Sequence, residues 1–257
     1  MVELRAALID IDGVLTVSWR PLPCTADALR ELRADGIDVL LVTNTTSRTR
    51  SSIAEALVEA GFDVGPDEIL TAPAAAAEHL ARHHPGARCL LVNSGDIGDD
   101  LGDVELVDDD ADVVLLGGAG PEFDYRTLNL AFAHLQRGAP LVAMHRSLYW
   151  RTDQGLQLDS GAFLLGLERA ANRTATVVGK PSAEFFAAAL GKLGAEPANS
   201  LMIGDDVESD VLGAQQHGIT GILVRTGKFS PEALSAASGE PDHVLDSFAD
   251  LPGFLRR

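Results

Sequence analysis

Short buried runs alternate along this chain with amphipathic helical stretches, and each run ends in polar or charged residues. That rhythm limits the fold more than any other feature. Ala6-Ala7-Leu8-Ile9 is a continuous apolar run of the kind that forms a strand of a parallel sheet. It ends in Asp10-Ile11-Asp12-Gly13. Residues two apart on a strand point to the same side, so two carboxylates are predicted to converge where the strand stops, with Gly13 turning the chain away. Ligands of open parallel sheets sit beyond the carboxyl ends of strands. Two like charges brought together there call for a cation or a proton transfer. The simpler alternative is an aspartate pair capping the next turn.

The alternation continues. Thr25 is placed as the cap of a helix carrying Leu29 and Leu32 and stopping at Gly36. Residues 37–42 form a second strand, ending in Thr43-Asn44-Thr45-Thr46. Ser47 is placed as the cap of a helix that stacks Ile53 on Leu57 and closes at Gly61. Near Thr71-Ala72-Pro73 the pattern shifts to an alanine-rich helix at 74–81, then to strands near 90–92, 113–116 and 141–144 and helices near 125–136 and 161–171. The first pattern resumes at Val177-Val178-Gly179-Lys180-Pro181. A helix with Phe185, Phe186 and Leu190 follows, then a strand at 200–203 ending in Gly204-Asp205-Asp206, a helix to Gly218 and a strand at 222–224. The expected fold class is α/β, a Rossmann-like parallel-sheet core over 1–72 and 179–257 with an inserted α/β domain over 73–178.

The 257 residues leave room for two domains, and 46% apolar content makes the chain globular. A net charge of −18 argues against nucleic-acid backbones and anionic lipid as partners. Cys24 and Cys89 make no disulfide framework, and Cys89 reads as core filler. Asp10 comes too early for a signal peptide and no apolar run is long enough to span a bilayer, so a cytoplasmic location is expected. His79 and His83 have zinc spacing, but the helix lacks the glutamate of H-E-x-x-H. Residues 96–112 lack the EF-hand order and read as a solvated acidic loop. Gly117-Gly118-Ala119-Gly120 lacks the third glycine of a dinucleotide loop.

Four strand ends carry complementary groups: Asp10 with Asp12, Thr43 with Asn44, Lys180, and Asp205 with Asp210. Carboxylates from two strands could hold a hard cation. A hydroxyl, an amide and an ammonium could hold phosphate oxygens. One carboxylate could act as nucleophile and another as proton shuttle. In order and spacing, D-x-D-G, V-T-N-T, G-K-P and G-D-D-x-x-x-D resemble the four motifs of the haloacid dehalogenase superfamily of phosphohydrolases, over essentially the whole chain. The insert is similar to the type-2 cap of subclass IIA. L-V-T-N-T-T and M-I-G-D-D-V-E-S-D-V-L-G-A-Q resemble most the branch that holds the haloacid dehalogenase-like domain-containing protein 2 and the phospholysine phosphohistidine inorganic pyrophosphate phosphatase.

The resemblance implies a Mg²⁺-dependent phosphatase for a small phosphorylated metabolite. Asp10 would attack phosphorus and become an aspartyl-phosphate. Asp12 would protonate the leaving oxygen and then activate water. Mg²⁺ would bind the Asp10 carboxylate, the Asp12 backbone carbonyl and Asp205, with Asp210 supporting its water shell or orienting Lys180. Thr43 and Asn44 would bind phosphoryl oxygens, and Lys180 would neutralise charge. Asp12 argues against dehalogenation, which has no leaving oxygen to protonate. A phosphotransferase or mutase of the same fold, and a non-catalytic phospho-acceptor module, are the alternatives. Asp206 is either a ligand to metal-bound water or the N-cap of the segment from Val207, the cap being the preferred reading. In the inserted domain, residues 141–144 lead into His145-Arg146-Ser147-Leu148-Tyr149-Trp150. Many subclass IIA relatives carry Asn and Asp where this chain has His145 and Ser147, so the resemblance does not carry their substrates over. His145 and Arg146 could meet an anionic substrate, and Tyr149 or Trp150 could stack on a ring. The alternative packs Trp150 into the core and turns Arg146 to water. The resemblance also allows a homodimer through the cap.

Overall fold

The computed structural model describes residues 4–152 and 155–256, and the chain falls into two compact units. One takes the chain up to Thr43, Arg50–Leu70 and the chain from Lys180 onward; the other takes Asn44–Thr49 and Thr71–Gly179. Asn44–Thr49, expected with the first unit, therefore counts with the second. Among the described residues no helix is long and apolar enough to cross a membrane.

In the first unit a six-stranded sheet runs in the order His243–Leu245, Thr220–Val224, Ser200–Gly204, Ala6–Asp10, Asp38–Thr43, Ile69–Thr71. From His243–Leu245 across to Asp38–Thr43 every pairing is parallel. All five residues of Ala6–Asp10 are buried, as a continuous apolar run in mid-sheet should be. The chain moves outward from this strand through Asp38–Thr43 to Ile69–Thr71, then resumes on its other side with Ser200–Gly204. That reversal puts a topological switch point beside Ala6–Asp10, where open sheets open a crevice at their carboxyl ends. Ala7, Ile9, Val39, Leu41, Leu201 and Ile203 alternate onto one face and pack on Leu29, Leu32, Ile53 and Leu57 of the helices Thr25–Ala34 and Arg50–Glu59. Each such leucine or isoleucine contributes about 1.5–3 kcal/mol by its burial.

The second unit has its own five-stranded parallel sheet, in the order Thr176–Val177, Leu141–Ala143, Val113–Leu116, Arg88–Val92, Glu105–Leu106. Period-two alternation gives it a core on each face. Leu90, Val92, Val114 and Leu116 pack with Leu135 and Leu164. Cys89, Val113, Leu115 and Val142 pack with Ala76 and Leu80. Burial pushes the Cys89 thiol up to about 12, against an opposing hydrogen bond from Leu115, so it behaves as a small apolar residue. An antiparallel hairpin, Tyr149–Thr152 with Gly155–Leu158, completes the unit.

Several helix starts differ from the sequence reading. Thr25 does not cap its helix; Cys24 precedes it at φ 61, and Thr25 Oγ1 donates to the carbonyls of Leu15 (3.0 Å) and Leu22 (2.8 Å). The helix after Ser47 begins three residues later, at Arg50. The alanine-rich helix is longer, Ala72–His83, because Thr71 Oγ1 accepts from the Ala74 N–H and Pro73 suits a first turn. The acidic stretch is only partly solvated. Asp100 is buried and accepts from Thr71 Oγ1 at 3.0 Å, while Asp110 and Asp112 are tied to Arg88. The Leu15 partner of Thr25, the Thr71 partner of Asp100 and the Arg88 pairs are tertiary contacts that local pattern does not encode, whereas the Thr71 cap is a local one.

Candidate active site

The strand Ala6–Asp10 stops at Asp10, and the chain then folds into a tight turn. The Leu15 and Thr16 N–H groups both donate to the Ile11 carbonyl, and Gly13 N–H donates to Thr16 O at 2.6 Å. Asp10 is buried at the strand end; Asp12 lies past it, exposed, its Oδ1 accepting from Ser18 N–H at 3.3 Å. Protein packed around the inner face of the Asp12 carboxyl raises its pKa, and the Ser18 hydrogen bond pulls it back.

Lys180, the first residue back in this unit, is buried with its ammonium 2.5 Å from Asp10 Oδ1 and 2.9 Å from Asp210 Oδ1. It also donates to the Val42 carbonyl at 3.4 Å. Thr43, buried, closes the neighbouring strand, in which Val42 stands in register with Asp10. Asp205 follows the strand Ser200–Gly204 on the other side. Its Oδ2 accepts from the Lys228 backbone N–H at 2.7 Å. Two glycines close around it: Gly13 (φ +90) and Gly227 (φ +61) would each put a Cβ within 2.0 Å of that oxygen, so neither tolerates a side chain. Asp206 is a cap, its Oδ1 accepting from the N–H groups of Glu208 (3.2 Å) and Ser209 (3.1 Å). The segment it starts, Val207–Leu212, is π-helical, and that wider turn carries the buried Asp210.

Asp10, Asp205 and Asp210 each offer a carboxylate oxygen within 4.8 Å of the others. Burial pushes all three carboxyls above the ordinary range. Lys180 pulls Asp10 and Asp210 back, leaving Asp210 at about 6, while repulsion from Asp10 raises Asp205 further. Burial works against the Lys180 charge, but Asp10 and Asp210 outweigh it and hold the lysine protonated. The donor set is all oxygen and carries more negative charge than Lys180 offsets. That matches a hard dication such as Mg²⁺.

Lys228 was not singled out from the sequence. It follows Thr226-Gly227 just past the strand Thr220–Val224, one strand out from Asp205. A lysine four residues beyond a buried run and two beyond a threonine was the available signal. Its ammonium stands 3.8 Å from Asp206 Oδ2, with 42% of the side chain exposed. Protein packed around it works against the charge, but the surrounding carboxylates, Asp205 and Asp206 foremost, hold it above the usual lysine range.

The other predicted residues lie in the second unit. Asn44 begins it. His145 is buried, its Nδ1 accepting from the Ser147 N–H at 3.3 Å and its Nε2 standing 3.9 Å from Asp159 Oδ2. Arg146 lies at the surface, as the alternative reading had it, with its guanidinium engaged within the unit. It makes a two-pronged pair with Glu168 at 2.9 and 2.5 Å, which holds the Glu168 carboxyl below the usual range. Trp150 does not pack into the core; Tyr149 and Trp150 are 56% and 45% exposed on the hairpin.

Comparison with known proteins gives the family. A family model described as haloacid dehalogenase-like hydrolase matches residues 7–106, and one described as HAD-hydrolase-like matches 177–251. The bovine haloacid dehalogenase-like hydrolase domain-containing protein 2 is 41% identical over 245 residues, covering 95% of this chain and 93% of that protein. This chain is a haloacid dehalogenase-like hydrolase. The rat phospholysine phosphohistidine inorganic pyrophosphate phosphatase is 33% identical over 258 residues, 98% and 94% of the two chains. Among solved structures, a p-nitrophenyl phosphatase from Archaeoglobus fulgidus superposes with a TM-score of 0.92 at 27% identity, covering 98% and 99%. NagD from Escherichia coli K-12 superposes at 0.86 and 27%, covering 96% and 98%. These full-length likenesses place the chain with subclass IIA of the superfamily.

Proposed function

We propose that this hydrolase is a Mg²⁺-dependent phosphatase that cleaves a small phosphorylated molecule through phosphorylated Asp10. The observation that carries the reading is the buried set Asp10–Lys180–Asp210, with Asp205 in reach, at the switch point of the sheet. Asp10 ends its strand where a phosphoryl group can approach, and Lys180 holds its carboxylate ionised for attack. A carboxylate oxygen of Asp10 bonds to phosphorus as the bond to the leaving oxygen breaks. Asp12, exposed beside it with a raised pKa, gives that oxygen its proton. Asp12 then takes a proton from water, whose oxygen attacks phosphorus, releasing phosphate and restoring Asp10. Thr43 and Asn44, at the end of the adjacent strand, hold phosphoryl oxygens, and Lys180 offsets their charge. Mg²⁺ bound by the Asp10 and Asp205 carboxylates and the Asp12 carbonyl, with Asp210 in support, would relieve the repulsion between nucleophile and substrate.

Selection among substrates falls to the second unit in this reading. Tyr149 and Trp150 are the aromatic surface offered to a leaving group. His145 and Arg146, both engaged within their own unit, brace the loop that carries them. The test is phosphate release from nitrophenyl phosphate, nucleotide monophosphates, pyridoxal phosphate, glycolate phosphate and pyrophosphate, with Mg²⁺ and with EDTA. Metal-dependent release is expected. No release from any of them, with no phosphoryl adduct on Asp10 by intact mass, would overturn the reading.

A further inference from the structure

We propose that the Lys228 side chain is a positioning residue that recruits the anionic phosphoryl group from solvent at the rim of the carboxylate cluster. The inference rests on the phosphatase reading above and adds a residue that the four sequence motifs do not contain. A phosphoryl dianion approaching Asp10 meets Asp12, Asp205, Asp206 and Asp210 as well, and like charges at such separations repel strongly when partly desolvated. Lys180 lies beneath the surface with its ammonium already held by Asp10 and Asp210. It can offset charge once the substrate is seated, but it presents little to solvent. Lys228 is placed differently. Its side chain is 42% exposed, and its ammonium is 3.8 Å from Asp206 Oδ2, longer than a hydrogen bond. Asp206 Oδ1 is meanwhile engaged by the N–H groups of Glu208 and Ser209.

The geometry separates two duties within this one residue. Its backbone N–H fixes the Asp205 carboxylate at 2.7 Å, and the crowding of Gly13 and Gly227 around the same oxygen shares that work. A side-chain substitution leaves all three constraints in place. What Lys228→Met removes is the ammonium alone, and with it the positive potential that draws an anion in and weakens the hold on a dication next to it.

That predicts effects of opposite sign on the two ligands. In Lys228→Met, the Kd for inorganic phosphate on the Mg²⁺-loaded protein and the KM for nitrophenyl phosphate should each rise about tenfold, with kcat within about threefold. Mg²⁺ binding to the phosphate-free protein, read by calorimetry, should be unchanged or tighter. The rise of KM with ionic strength should flatten, and Lys228→Arg should restore all of these. A purely structural role would instead weaken Mg²⁺ and phosphate together and lower the melting temperature. That result, or an unchanged phosphate Kd, overturns the proposal. Failure of the wild type to hydrolyse any substrate would sink the phosphatase reading instead, while phosphate calorimetry would still decide the role of Lys228.

Discussion

The ammonium of Lys180 lies 2.9 Å from Asp210 Oδ1, joining the residue where the chain re-enters the first unit to a π-helical turn thirty positions on. The same nitrogen reaches Asp10 at 2.5 Å, so one buried cation serves two buried carboxylates. Removing it strands both. Lys180→Met should cost about 3–5 kcal/mol, the scale seen when a buried ion pair loses one partner. Without the lysine, the Asp10 and Asp210 carboxyls move further above their unfolded values. The native state then binds more protons than the unfolded chain at mildly acidic pH, so stability falls as pH rises. Thermal melts should show Lys180→Met gaining stability between about pH 7.5 and 5.5 relative to wild type. A parallel pH dependence in the two proteins would mean the lysine does not govern those carboxyls.

Asp205 bears on metal and stability in opposite ways. Burial and Asp10 raise its carboxyl well above the usual range, so its ionised form destabilises the metal-free fold at neutral pH. Asp205→Asn keeps an oxygen for the Lys228 N–H and removes one buried charge. The metal-free variant should melt higher than wild type near neutral pH, by roughly 1–2 kcal/mol, yet gain nothing from MgCl₂. In the wild type, Asp210 titrates at about 6, raised from an ordinary carboxyl. Metal-free stability should therefore fall as pH climbs through that value, and stabilisation by Mg²⁺ should grow over the same interval as protons stop competing. Melts with and without MgCl₂ on either side of that pH test both signs. Equal Mg²⁺ stabilisation of variant and wild type would remove Asp205 from the ligand set.

Asp12 is exposed, so its substitution should act on chemistry and not on folding. Asp12→Asn retains an oxygen for the Ser18 N–H and loses the proton carrier. kcat should fall about 10²–10⁴-fold, the usual contribution of general acid–base catalysis, with the melting point almost unchanged. Nitrophenolate leaves without needing a proton, so phosphorylation of Asp10 should outrun water attack. Intact-mass spectra of the variant with nitrophenyl phosphate should then show a phosphoryl adduct. Its absence, with kcat equally low, would put the defect in the first step.

How far the sequence could be read depended on how local each cause was. The strand Ala6–Asp10 and its terminal carboxylate were legible because a continuous apolar run and a following glycine act within a few residues. The helix Tyr125–Gln136 and the strand Val113–Leu116 were legible for the same reason. The cap role of Asp206 was within reach because an N-cap bonds only two and three residues ahead. Thr25 misled because its hydroxyl serves the Leu15 carbonyl, a partner brought by tertiary folding. Arg146 looked like an anion contact because nothing near it in sequence announces Glu168, twenty-two positions on. Lys228 had only a weak local signal, for a stronger reason. Its link to Asp205 exists only once parallel strands set the two loops side by side.

The loop after Leu141–Ala143 divides into a braced part and an offered part, and substitutions should separate them. Arg146 and Glu168 form a two-pronged pair, and Glu168 also accepts from the Ala175 N–H at 2.8 Å. With Arg146 39% exposed, Arg146→Ala should cost only about 1 kcal/mol after solvent screening, seen as a lower melting point. Trp150 faces Gln157 across the hairpin and Tyr149 faces Leu158, with both rings substantially exposed. Trp150→Ala should lower the melting point, because about half of the indole is covered. If the indole stacks on the leaving group, KM for nitrophenyl and pyridoxal phosphates should rise about 3–10-fold, the worth of one aromatic contact, while KM for pyrophosphate, which has no ring, stays the same. A uniform rise across all three would assign Trp150 to loop shape. No rise in any would remove the hairpin from substrate selection.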